Sequence, residues 1–61
     1  LGGVMLYNIK IWYLGMSYCK EHHDCDKFKW YSDRIITFTV GNAEHIVPLY
    51  NVDDVEVTEE V

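Results

Sequence analysis

The chain has 61 residues with a formal net charge of −5; it is 49% hydrophobic and 15% aromatic, and it carries two cysteines. That length holds one small domain and leaves no room for a dinucleotide-binding α/β unit with a substrate domain, or for a TIM barrel. The aromatic and β-branched content is too high for a disordered chain, and no apolar run approaches the roughly 18–20 residues of a membrane span.

Residues 1–4 precede the first methionine and read as a remnant of processing or expression, with the native frame expected to start at Met5. From there Met5, Tyr7, Ile9, Ile11 and Tyr13 alternate with Leu6, Asn8, Lys10, Trp12 and Leu14. One face is apolar throughout and the other is interrupted by Asn8 and Lys10, which predicts a half-buried strand. Gly15 to Asp26 breaks the alternation and reads as a polar, partly helical loop in which Ser17 caps a turn. Lys27 to Tyr31 predicts a short second strand, with Phe28 and Trp30 on one face. Arg34 to Val40 predicts a third, with Ile36, Phe38 and Val40 inside and Thr37 and Thr39 outside. Gly41-Asn42 then supplies a tight hairpin turn, because glycine at the first central position accepts a positive φ. Glu44 to Leu49 returns as a fourth strand, and Pro48, lacking an N–H, must sit at an edge, a bulge or the strand's end. Leu49 to Asp54 reads as a turn or single helical turn capped by Asn51 or Asp53, before a short final strand of Val55, Glu56, Val57 and Thr58.

The chain therefore reads as all-β, with a single small β domain over residues 5–57 and an acidic tail over 58–61 expected to fray. Five short strands with a helical turn before the last resemble the pattern of a small SH3-like barrel. A strongly twisted antiparallel meander sheet would give much the same pattern over Ile35 to Val57. The expected core is Phe28, Trp30 and Phe38 with Ile9, Ile11, Ile36, Val40, Val47, Leu49 and Val55.

The residues with the most chemistry are Cys19, His22, His23 and Cys25, which fall within seven positions. Thiolates and imidazoles are the usual zinc ligands, and His45 on the fourth strand is a distant candidate for the same site. Four donors in one short loop rarely surround an ion tetrahedrally, so zinc binding is the alternative reading and not the leading one. A Cys19–Cys25 disulfide would close a small loop without a leader to place the chain in an oxidising compartment, and Glu21, Asp24 and Asp26 would raise the thiol pKa. Catalysis is not expected: the Cys, His and Asp residues are neighbours in sequence instead of converging on a scaffold, and no phosphate loop or helical zinc motif is present.

The surplus of aromatic residues is more informative. A core this thin cannot bury all of Tyr7, Trp12, Tyr13, Tyr18, Phe28, Trp30, Tyr31, Phe38 and Tyr50. Trp12, Tyr13, Tyr18, Tyr31 and Tyr50 are the expected interaction surface, since Tyr and Trp dominate interface hot spots. All five basic residues lie at or before Arg34, whereas Glu44, Asp53, Asp54, Glu56, Glu59 and Glu60 follow without a Lys or Arg. An acidic field opposes nucleic-acid binding and favours a basic protein surface or a second copy of the chain. The sequence thus predicts a non-enzymatic, cytoplasmic protein-interaction or oligomerisation module. A homodimer is expected, with no membrane partner, and so short a frame would suit an accessory protein of a phage or mobile element.

Overall fold

The computed structural model describes residues 5–60 and contains five strands: β1 (Tyr7–Tyr13), β2 (Cys19–Ser32), β3 (Ile35–Val40), β4 (Ala43–Pro48) and β5 (Val52–Glu59). All pairings are antiparallel, in the order β4-β3-β2-β1-β5. Strands β1 to β4 form a meander, and β5 returns to the far side of β1. The sheet is open: β4 and β5 are its two edges, so a closed barrel is not formed. The helical turn expected over 49–54 is absent. In its place a tight turn, closed by the Val52 N–H donating to the Leu49 carbonyl at 3.1 Å, leads directly into β5.

The largest departure from expectation is β2. The polar stretch read as a loop is half of a 14-residue strand, running from Cys19 to Ser32. Its alternation is hidden by three irregularities, one at its far end between Trp30 and Ser32 and two bulges nearer its middle. Ile9 pairs with His22 but Tyr7 pairs with Cys25, so β2 carries one residue more than β1 there. Asp26 pairs with Thr39 but Lys29 pairs with Thr37, so β2 gains another residue against β3. Each bulge contains a left-handed residue, Asp24 with φ 57° and Lys27 with φ 53°. An inserted residue in this conformation bends the strand and increases its twist. β1 pairs with the part of β2 up to Cys25, and β3 pairs with the part from Cys25 onward. The bend between them lets one sheet fold over itself.

The core lies on the inner face of that bend. Ile9, Ile11, Cys25, Ile36 and Phe38 are buried, ringed by half-buried Tyr7, Tyr13, Phe28, Val40, Val47, Leu49, Val52 and Val55. Trp30, expected inside, is 59% exposed and meets Phe28 edge-on at 6.2 Å. Its ring borders a shallow groove with Leu49, Val52 and Val55 that leaves much of it open to water. Cys25 takes a core place instead, which a loop assignment for its segment concealed.

The strand ladders extend past their ends within each half of the sheet. The Leu49 N–H donates to the Arg34 carbonyl at 2.8 Å, and the Leu14 N–H donates to the Asn51 carbonyl at 2.9 Å. Residues 58–60 continue from β5: Thr58 and Glu59 pair with Asn8 and Tyr7, and a Glu60 carboxylate oxygen accepts the Asp24 N–H at 2.7 Å. Residues 1–4, with the expected start at Met5, and Val61 lie outside the described part. The β3–β4 hairpin forms on the two-residue Gly41-Asn42 turn, with Gly41 at φ 61°.

The bulges generate a test. Lys27→Gly should raise stability by about 0.5–1 kcal/mol, because glycine adopts positive φ without the side-chain clash that lysine meets. Lys29→Gly, in regular strand two positions on, should lower it by about 0.5–1 kcal/mol. Urea unfolding of both variants reads the difference; equal losses would rule out the left-handed bulge.

Candidate functional site

Directly paired residues share a face, so the register sorts every candidate side chain. His22 pairs with buried Ile9 and His45 pairs with buried Phe38, which puts both imidazoles on the inner face. His45 stacks on Phe38 at 5.1 Å between ring centroids, with their planes 4° apart. His22 lies tilted against both, 5.0 Å from Phe38 and 5.4 Å from His45. His23, one position along, points outward, where its Nδ1 is 2.8 Å from the Asn8 side-chain oxygen and its Nε2 is 3.8 Å from Glu21.

The five donors of the zinc reading are therefore divided. His22, His45 and Cys25 belong to the inner face, while Cys19 and His23 belong to the outer one. Among the described residues no group of three or more His, Cys, Asp or Glu side chains comes together as a metal cage. Nor are the cysteines placed for a bridge. Both are free, and they lie six positions apart on one strand with side chains on opposite faces.

The titration of the inner face follows from its burial. Desolvation holds the His22 imidazole below its usual 6.5, helped by the neighbouring positive charge of His45, Lys20 and His23. Burial first, and then Glu60, Asp24 and Asp26, push the Cys25 thiol above its usual 9.0. A neutral thiol among carboxylates is a poor nucleophile.

The aromatic candidates also divide. Trp12 and Tyr13 are half-buried near the β1–β2 end, where Lys20 Nζ lies 5.8 Å from the centre of the Tyr13 ring; Tyr18 is exposed in the loop that follows. Tyr31 and Tyr50 lie elsewhere, 68% and 85% exposed. They border two adjoining grooves that share Ile35. One, of about 440 Å³, is lined by Asp33, Arg34, Ile35, Pro48, Leu49 and Tyr50. The other, of about 300 Å³, is lined by Lys29, Tyr31, Ile35, Thr37, Glu44 and Ile46.

Ile46 and Pro48 are the members that the aromatic census missed. Ile46 is 62% exposed, and the signal for it was available. A two-residue turn at Gly41-Asn42 fixes Val40 opposite Ala43, and hence Thr37 opposite Ile46. That register sets one isoleucine among Thr37, Thr39 and Glu44 on the polar face. Comparison with protein-family models, curated proteins and solved structures returns no match.

The two shifted groups predict a stability dome. Just below pH 6.5 the unfolded chain binds a proton at His22 that the folded one refuses, so stability falls as pH drops there. Above pH 9.0 the unfolded chain releases the Cys25 proton first, so stability falls as pH rises. His22→Phe should flatten the acid-side slope that begins near 6.5 in a series of urea midpoints against pH. An unchanged slope would rule out His22 as its source.

Proposed function

We propose that this chain is a small, non-enzymatic protein-interaction module that engages a protein, a second copy of itself included, through the β4 edge and the grooves beside it. The observation that carries this reading is the clustering of exposed Tyr31, Ile46 and Tyr50 with Ile35 and Pro48 around two adjoining grooves. Scattered surface aromatics need no explanation, but a contiguous apolar patch with a polar rim marks an interaction site. Lys29, Asp33, Arg34 and Glu44 supply that rim.

The finer reading of the fold belongs with this proposal. β2 serves two half-sheets, β1 with β5 on one side and β3 with β4 on the other, which is how a small SH3-like barrel is assembled. Here the barrel is left open between its edges, and an open edge with an apolar flank suits strand or groove recognition. Catalysis has less support, because burial and the nearby carboxylates favour the unreactive protonated form of Cys25. Zinc is not carried forward, given the division of its ligands between faces.

Photo-cross-linking tests the surface. A cross-linking residue in place of Tyr31 or Tyr50 should capture protein, whereas one in place of Glu56 on the outer face of β5 should not. Equal capture at all three positions, or none at any, would sink the reading. A chelator should leave the thermal midpoint of the purified chain where it was, and a drop would return the function to the histidines and cysteines.

A further inference from the structure

We infer that β4 pairs with β4 of a second copy, antiparallel, around a twofold axis at Ile46. This rests on the interaction-module reading and names its partner.

The argument starts with which main-chain groups the edge exposes. The Leu49 N–H donates to the Arg34 carbonyl, so the Arg34–Leu49 pair is a hydrogen-bonded one. Hydrogen-bonded and non-bonded pairs alternate along an antiparallel ladder. Ala43, Val47 and His45 therefore aim their backbone groups at β3, and Glu44, Ile46 and Pro48 aim theirs away from it. Proline thus occupies a position whose N–H would have pointed to solvent, so it costs the sheet no bond.

A twofold axis normal to the sheet must pair residues of the same face. Pairing Glu44 with Glu44 sets like charges opposite each other, and pairing Glu44 with Ile46 sets a carboxylate against an isoleucine. Centring on Ile46 avoids both. Ile46 then meets its own copy, and each Ile46 N–H donates to the other's carbonyl. Each Glu44 N–H donates to the partner's Pro48 carbonyl, so every outward N–H of the edge is satisfied despite the proline. The same register sets each Glu44 opposite the partner's Pro48, which keeps the two carboxylates apart. Ile46, 62% exposed in the single chain, is the side chain that this contact covers.

Charge decides between the edges. β5 carries Asp53, Asp54, Glu56 and Glu59, so an antiparallel copy would bring carboxylates together along its length. β4 carries Glu44 alone among acids and no lysine or arginine. The edge without the charged guard is the one that pairs.

Sedimentation equilibrium of the purified chain over roughly 10 μM to 1 mM tests this, the range in which a small strand interface half-associates. A monomer–dimer equilibrium is expected. Ile46→Lys, which places two ammonium groups on the axis, should weaken it at least about tenfold, and Glu56→Lys on β5 should not. In a mixed isotope-labelled wild-type sample, intermolecular contacts should appear at the Ile46 side chain, a readout independent of how any variant folds. A monomer throughout the range, a dimer unaffected by Ile46→Lys, or a dimer without contacts at Ile46 would each overturn self-pairing. None of these touches the broader module reading, which stands or falls on the cross-linking at Tyr31 and Tyr50.

Discussion

Everything in this molecule depends on the bend in β2. A lone antiparallel sheet has two faces open to water and cannot bury a core against itself while flat. Two residues inserted into one long strand, each with a left-handed neighbour conformation at Asp24 or Lys27, let the β1–β5 half turn toward the β3–β4 half. Ile9 and Ile11 come from one half and Ile36 and Phe38 from the other, with Cys25 at the join. The bulged segment is thus the structural centre of the chain although its composition is that of a surface loop.

Using one layer in place of two has a cost that appears on the surface. The fully buried set is small, and rings that a second layer would cover stay wet, as Trp30 and Tyr50 do. Polar groups fill some of the gap. His22 and His45 flank Phe38 where an aliphatic pair would otherwise sit, and their rings help to cover it. The two edges are handled differently, one with carboxylates and the other with a proline and little charge.

Much of the fold was legible in the sequence, and the parts that were not share a cause. β1, β3, β4 and the Gly41-Asn42 turn follow from strict alternation and one glycine, and they form close to the expected limits. The first half of β2 was hidden because each bulge resets the alternation, so that Lys20, His22, Cys25 and Trp30 share a face at unequal spacing. Period-2 reasoning has no way to register an inserted residue. β5 was read short because Asp53 and Asp54 suggest a turn, and its place beside β1 is a matter of topology that no local pattern carries. Of the candidate surface, Tyr31 and Tyr50 were named from composition, whereas Ile46 required a register that the hairpin already implied. The candidate zinc donors divide between faces for the reason that the loop was misread: neighbouring residues in a strand face opposite ways.

The position of β5 also orders the assembly of the chain. Successive hairpins join β1 to β2, β2 to β3 and β3 to β4 between close neighbours in sequence, but β5 must pair with β1 across the whole of the intervening meander. During synthesis β1 therefore waits with a bare edge and a half-covered row of isoleucines until the last strand emerges. Such long-range pairing is the slow step of β-topologies and the one most exposed to wrong partners. The carboxylates of β5 bear on that interval: they keep the late strand soluble and self-repelling while it is unpaired. Charge that lies on the surface of the finished domain thereby also opposes wrong pairing of the strand whose partner is met last.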